Sequence, residues 1–143
     1  MVKLARSYIN QASARVKDAS EALEEKNYPY AVRLSQEAVE LSLKAVLRLV
    51  AIEYPKIHDL SEILTKVQDR FPQWFSKEVP FMAEASMSLA KKREISFYGE
   101  ETEALTPDEL IDKSDAEDAV QKAEKTLKIC QKLLQEYEKQ NPP

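Results

Sequence analysis

The sequence predicts an all-α protein, an up-and-down antiparallel bundle of about five helices, and three observations carry this prediction. The chain has one glycine in 143 residues, whereas β hairpins and bulges depend on glycine. Apolar residues recur at helical spacing through several long stretches. Charged residues make up 32% of the chain, which suits solvated helix faces. We expect a single domain, residues 1–143, that folds without a metal or a disulfide.

The first two predicted helices form the centre of the bundle. The first runs from about Val2 to Glu25, and Asn27 breaks its pattern. Pro29 opens the second helix, Tyr28 to Ile52, because proline is tolerated in a first turn. This second helix is apolar around most of its circumference, so we expect it to be the central helix and take its excess apolar surface as a reason to expect a homodimer. Its charged residues form one narrow strip: Arg33, Glu37, Glu40, Lys44 and Arg48.

A short third helix is predicted from about Asp59 to Asp69. Asp59 and Glu62 have the spacing of a capping box, with the aspartate as the cap. Pro72 stops this helix. The aromatic segment 71–75 that follows is interpreted as a plug at one end of the bundle, with a contact surface as the alternative.

Two long helices complete the predicted bundle. The fourth starts between Ser76 and Pro80 and ends near Tyr98, where Gly99 supplies the left-handed geometry of a helix C-cap. Within the polar connection that follows, residues 106–109 pair a capping box with a proline and predict a single helical turn. A second capping box, residues 114–117, begins the last helix, which runs to about Lys139.

Composition excludes several classes of function. The formal net charge of −4 removes general attraction to nucleic acid, so any such binding needs a local basic patch. Cys130, the only cysteine, is predicted to be a small buried apolar residue. No apolar run approaches the roughly 20 residues of a membrane span, and the N-terminus carries no secretory segment, so we expect a cytoplasmic protein. Phosphate-loop, metal-ligand and triad patterns are absent from the sequence, so we expect no cofactor or metal.

Candidate chemistry is concentrated at the end of the fourth helix. Arg93 falls on the apolar side of that helix, where a guanidinium without a partner is costly. One interpretation is an ion pair with a glutamate of a neighbouring helix. A second is an anion-binding groove near a subunit interface, in which Lys92 and Arg93 bind phosphate or RNA and Tyr98 stacks on a base. The third is simple exposure of Arg93 to solvent. The helix C-terminal dipole and nearby glutamates oppose anions there, so the affinity should be weak.

Residues 30–45 resemble the second helix of HEPN domains, in which a small and apolar run precedes Gln-x-Ala-x-Glu and then Lys-Ala. His58-Asp59-Leu60 follows in the order typical of that family. The resemblance implies a HEPN-like bundle, a homodimer and a nucleotide- or RNA-related role. It also implies a minimal nucleotidyltransferase as partner in a toxin-antitoxin-like pair, with Tyr98 as a target for nucleotide transfer. Glu40 and Lys44 match a spacing that some HEPN families carry near their cleft, although a helix ion pair explains it equally.

Nuclease members of the family carry an arginine, four to six residues and then a histidine, and the pairs of two subunits cleave RNA without metal. Arg93 matches the arginine, but Tyr98 stands five positions on and no histidine follows. A tyrosine with a pKa near 10 is a poor base at neutral pH. We therefore expect a non-nuclease binding module. The alternatives are an RNA-cleaving toxin with a degenerate motif and a structural helical adaptor without a ligand.

His58 is the only histidine of the chain. We interpret it as structural, packed beside the Asp59 cap or paired with that carboxylate. Distance in sequence does not prevent His58 from approaching Arg93, so a base relocated to this position is the alternative.

Overall fold

The computed structural model describes residues 1–142, which contain eight helical segments and no strand, so the all-α prediction is confirmed. Four long helices form the bundle, and the shorter segments lie in the connections. The segments are α1 Val2–Glu24, α2 Tyr28–Leu49, α3 Ser61–Lys66, a 3₁₀ turn Gln68–Arg70, α4 Gln73–Ser76, α5 Val79–Tyr98, α6 Pro107–Leu110 and α7 Lys113–Gln140. No helix within these residues is both long and apolar enough to cross a membrane.

The central helix is α2, as predicted, and it packs against α1, α7 and α5 of the same chain. Small residues let these helices approach closely, because many of their alanines are completely or almost completely buried. They are Ala5, Ala12 and Ala19 of α1, Ala31, Ala38 and Ala45 of α2, and Ala116, Ala119 and Ala123 of α7. The chain itself therefore covers the apolar circumference of α2. That circumference is no reason for a second subunit, and the homodimer stays a prediction that depends on the family resemblance.

The α2–α3 connection begins earlier than expected, because α2 ends at Leu49 and Ala51 takes a left-handed backbone with φ of 59°. The capping box predicted at Asp59 and Glu62 is wrong. The Asp59 carboxylate accepts a hydrogen bond from the Ser61 backbone N–H at 2.9 Å, which closes a turn before the helix starts. The connection is anchored at Leu60, a fully buried residue whose N–H donates to Ser86 Oγ at 2.8 Å.

The aromatic segment packs into the core, as its interpretation as a plug requires. Phe71 and Phe75 are buried, with ring centroids 4.4 Å apart. Trp74 meets Phe75 edge to face and donates from Nε1 to the Glu136 carboxylate of α7 at 3.2 Å. Cys130 is likewise completely buried, and burial raises the pKa of its thiol above the ordinary value. Its interpretation as a small core residue is confirmed.

Gly99 is the C-cap of α5 and has φ of 69°, so the predicted need for glycine is confirmed. Its ψ of −141° lies outside the left-handed helical region that was expected. This geometry turns the chain so that the Glu100 N–H donates to the Leu105 carbonyl at 2.8 Å. A side chain at position 99 would collide with that carbonyl oxygen, which leaves glycine as the residue that fits.

The last two helices begin with side-chain caps. Thr106 accepts a hydrogen bond from the Glu109 N–H at 3.2 Å and starts the single turn α6, as predicted. The capping box expected at residues 114–117 is wrong, because Asp112 has an extended backbone and starts α7 two residues earlier. Asp112 and Asp115 exchange backbone-to-carboxylate hydrogen bonds of 2.9 and 3.1 Å and form the capping box instead.

Candidate functional site

The charged strip of α2 is the floor of a groove, which we call the α2 groove. Its residues are partly exposed, while the rest of α2 is mostly buried against α1, α5 and α7. Arg15 of α1 reaches the strip from one side, with its Nε 2.9 Å from Glu37 Oε1. Arg93 of α5 reaches it from the other side, and the α2–α3 connection lies over its far end. The helical periodicity of α2 therefore determines where the groove lies, and three neighbouring segments form its walls.

Arg93 is held at the edge of this groove. Its Nη1 donates to Gln36 Oε1 at 2.6 Å, and Glu37 Oε2 lies 3.9 Å from the same nitrogen. Its guanidinium also lies 5.1 Å from the centre of the Phe97 ring, and the Arg33 guanidinium lies 3.7 Å from the centre of the same ring. The Arg93 side chain is 24% exposed. The predicted ion pair with a glutamate of a neighbouring helix is therefore present, at the limit of direct contact, and part of the guanidinium remains open to the groove.

Glu40 joins three other side chains in the middle of the groove. Oε1 accepts a hydrogen bond from Gln36 Nε2 at 2.9 Å and lies 2.6 Å from His58 Nδ1. Oε2 accepts a hydrogen bond from Lys44 Nζ at 2.8 Å, so the predicted helix ion pair is confirmed. Burial alone would raise the pKa of Glu40, but the hydrogen bonds from Lys44, Gln36 and His58 outweigh it and hold that pKa below its ordinary value. Glu40 is therefore a carboxylate that positions its neighbours.

The structure brings His58 and Arg93 to the same cavities, as the alternative of a relocated base requires. Both side chains line a cavity of about 230 Å³ together with Arg15, Glu37 and Glu40. Both also line a cavity of about 590 Å³ that extends to Phe97 and Tyr98. The partner of His58 is thus Glu40 and not the adjacent Asp59. Because Nδ1 faces Glu40, Nε2 is the ring nitrogen that remains for a ligand.

Tyr98 lines a cavity together with Arg93, whereas Lys92 contacts α7 instead. Tyr98 is 63% exposed and belongs both to the cavity of Arg93 and to a separate one of about 420 Å³, which Glu94, Glu100 and Glu101 make acidic. Lys92 points away from the groove and donates to Asp115 Oδ1 of α7 at 3.1 Å. Lys92 therefore lies outside the groove cavities. The other four predicted site residues line cavities that share residues with one another: Glu40, Lys44, Arg93 and Tyr98.

Sequence reasoning missed several residues of the groove. Gln36 stands inside the family pattern Gln-x-Ala-x-Glu, and that position was a signal that its amide bridges Arg93 to Glu40. Arg15 gave no signal, because one basic residue on an amphipathic helix is normally a solvated side chain. The signal for Tyr54 is weak, because it is a single aromatic side chain in the connection between two helices. Within residues 1–142, no set of three or more histidine, cysteine, aspartate or glutamate side chains is arranged to hold a metal ion.

The fold and the groove define a small helical-bundle domain whose polar residues converge from α1, α2, α5 and the α2–α3 connection. A family model described as HEPN domain matches residues 5–133, and the chain belongs to this family. Membership supports a helical module with a nucleotide- or RNA-related role.

One solved structure adds to the fold assignment. The crystal structure of TT1696 from Thermus thermophilus is similar to this chain with a TM-score of 0.70 and 20% identity, covering 90% of this chain and 96% of that one. At this identity the likeness establishes a shared fold. No curated protein matches the chain.

Proposed function

We propose that the protein is a non-nuclease, homodimeric HEPN module that binds the phosphate of a nucleotide or an RNA in the α2 groove, with a minimal nucleotidyltransferase as its partner in a toxin-antitoxin-like pair. One observation carries the proposal: Arg93 is fixed by Gln36 yet open to two cavities that it shares with His58. An arginine keeps its charge, and its remaining N–H groups suit the planar recognition of phosphate oxygens.

The charge along the groove supports an anionic ligand. Five arginine and lysine side chains and three glutamates line its cavities: Arg15, Lys44, Arg48, Lys56 and Arg93 against Glu37, Glu40 and Glu94. Glu37 and Glu40 already have cationic or amide partners within the protein. The groove is therefore locally positive in a chain of net charge −4. Glu94, Glu100 and the C-terminal dipole of α5 oppose the ligand, so affinity in the high micromolar range or weaker is expected without a partner.

Tyr98 supports the role of a partner enzyme. It occupies the motif position where a nuclease has histidine, and its side chain is 63% exposed. An exposed hydroxyl beside an anion-binding arginine suits nucleotidyl transfer by a second protein. The tyrosine oxygen would attack the α-phosphate of a nucleoside triphosphate held by that enzyme, lose its proton to a base of the enzyme and release pyrophosphate. Phe97 and Tyr98 both remain exposed at the end of α5, which leaves aromatic rings on which a base of the ligand can stack.

RNA cleavage is the second candidate function, and one observation favours it. His58 shares both cavities with Arg93, and Glu40 holds its Nδ1. A histidine oriented by a carboxylate is a suitable general base, which would accept the proton of a ribose 2′-hydroxyl while Arg93 binds the phosphate. A structural adaptor without a ligand is the remaining alternative.

A ligand titration followed by NMR tests the binding proposal. Adding ATP or a short RNA should shift the amide signals of residues near Arg93 and His58. Arg93→Ala should abolish these shifts, whereas Lys92→Ala, which removes the neighbouring cation outside the groove, should leave them intact. Shifts that persist unchanged in Arg93→Ala would show that Arg93 is a structural residue and that the proposed site is wrong.

Three further measurements separate the alternatives. RNA incubated with the protein should stay intact, and cleavage that is lost in both Arg93→Ala and His58→Asn would favour the nuclease. Sedimentation at micromolar concentration should give twice the chain mass, and a monomer would contradict the dimer. Purification at native expression should recover a nucleotidyltransferase, and its consistent absence would argue against that partner.

A further inference from the structure

We infer that the α2 groove continues to a second binding subsite at the C-terminal end of α2, and that its ligand is a single-stranded RNA segment of several nucleotides. The inference deepens the proposed function and rests on it. A cavity of about 560 Å³ lies there, lined by side chains that include Tyr8, Lys44, Arg48 and Tyr54. It shares His58 and Glu40 with the smaller cavity of Arg93. The two ends therefore belong to one continuous groove.

The second subsite is an aromatic ring surrounded by cations. Lys44 Nζ lies 5.3 Å and Arg48 Cζ 4.9 Å from the centre of the Tyr54 ring, and the Tyr54 hydroxyl is 3.5 Å from that of Tyr8. Within residues 1–142, Arg48 has no carboxylate at ion-pair distance, and its Nε is buried without a hydrogen-bond partner. Arg48 is thus a cation without a direct carboxylate partner, and a phosphate would supply an anionic one.

The spacing of the two subsites selects the kind of ligand. Gln36, which holds Arg93, and Arg48 are twelve residues apart on α2, or about 18 Å along the helix axis. Aromatic rings stand at both ends, Phe97 and Tyr98 at one and Tyr54 at the other, and cationic side chains lie between them. A positive groove with stacking platforms along it is the arrangement that binds single strands with little sequence preference. A strand with several phosphates reaches both ends, whereas one phosphate group occupies only one.

Binding of labelled oligonucleotides of increasing length tests the inference. In fluorescence anisotropy, affinity for oligouridylates should rise with length from a dinucleotide and then level off once both subsites are filled. Tyr54→Ala and Arg48→Ala should each weaken binding of the long oligomer about tenfold, and Tyr54→Phe should restore it. Arg48→Ala should also reduce the slope of affinity against salt by about 0.7. Arg70→Ala, which removes an exposed arginine that lines none of these cavities, is the matched control.

The outcomes separate this inference from the proposed function. ATP-induced shifts at Arg93 that persist in Tyr54→Ala and Arg48→Ala, together with loss of long-oligomer binding, support both. If affinity does not grow with length, or the two variants bind long RNA as the wild type does, the second subsite is wrong while the mononucleotide site stands. If neither ATP nor RNA binds, the proposed function fails as well. If either variant converts a dimer into a monomer, this surface is the subunit interface and the inference is overturned.

Discussion

The two faces of α2 are built from one helix and are stabilised by different physics. On the packed face, side chains such as Leu43 and Leu47 are completely removed from water by α1, α5 and α7. On the groove face, Glu37 and Glu40 stay partly hydrated and are held by hydrogen bonds and ion pairs. Burial of apolar surface supplies folding energy, whereas partly exposed ion pairs supply little. The groove face therefore contributes less to folding than the packed face, and its residues are available for binding.

Truncating the packed face should have the largest effect. Leu43→Ala should lower the free energy of unfolding by about 2–5 kcal/mol, because it removes a fully buried side chain and leaves a cavity. Urea denaturation followed by circular dichroism measures this. The matched truncation on the groove face, Arg48→Ala, should cost less than about 1 kcal/mol. Equal losses of unfolding free energy in the two variants would contradict the difference between the two faces, since the groove face would then be part of the core.

Gln36 lies where the two faces meet, and its replacement should have an intermediate effect. It is 2% exposed, and its amide both accepts from Arg93 and donates to Glu40. Gln36→Leu keeps the volume but leaves these two charged groups short of a partner, which should cost about 1–3 kcal/mol. The control is Gln121→Leu at an exposed position of α7, for which a change within about 0.5 kcal/mol is expected. If Gln36→Leu were neutral in urea denaturation, the amide bridge would have no structural value.

The groove face should also make stability depend on pH through Glu40. Burial works to raise the pKa of Glu40, but its hydrogen bonds prevail and lower it in the folded state. A folded pKa below the unfolded one of about 4.3 stabilises the protein above that pH, and the contribution is lost as the pH falls through the folded pKa. The free energy of unfolding should therefore fall more steeply below about pH 5 in the wild type than in Glu40→Gln.

Urea denaturation of both proteins from pH 7 to pH 3 measures this difference. The pKa values of Asp115 and Glu138 are also lowered in the folded state, and they remain so in both proteins. The gap between the two curves therefore isolates Glu40, and it should narrow as the pH falls. If the two curves of unfolding free energy stay parallel throughout, the hydrogen bonds from Lys44, Gln36 and His58 do not lower the pKa of Glu40 in the folded state.

Sequence periodicity was sufficient to predict the fold, because the long helices were predicted to within about three residues of their observed ends. Apolar repetition reports burial, and burial stabilises these helices. Helix caps were less predictable: Asp59 and Ser114 had the right neighbours, but the backbone conformation of adjacent residues decided which side chain became the cap. Cap choice depends on local dihedral angles that a spacing rule does not contain.

Residues of the candidate site were predictable only where they lie on helices with a periodic apolar pattern. Arg93 was identified because its position on the apolar side of α5 demanded a partner, and Gln36 and Glu37 are those partners. The approach of His58 to Glu40 depends on the path of the α2–α3 connection, which has no periodic signal. Lys92 lies outside the groove cavities for a geometric reason. Consecutive residues of a helix point about 100° apart, so the neighbour of Arg93 faces α7.

Lys92 therefore gives the smallest predicted effect and the sharpest contrast with Arg93. Its ion pair with Asp115 leaves about a third of each side chain exposed, at 33% and 33%, so solvent screens most of the attraction. Lys92→Ala should change the free energy of unfolding by less than about 1 kcal/mol, and the change should shrink further in 1 M salt, where the Debye length is about 3 Å.

A double-mutant cycle with Asp115→Asn isolates this pair, because asparagine retains a side-chain oxygen that can accept the Asp112 N–H of the capping box. A coupling energy well above 1 kcal/mol would show that the pair is more than a screened surface contact. In the same proteins, RNA binding should be unaffected by Lys92→Ala and lost in Arg93→Ala. If the two single variants weakened RNA binding equally, the adjacent cations would act as one patch, and the boundary of the groove would have to include the side of α5 that faces α7.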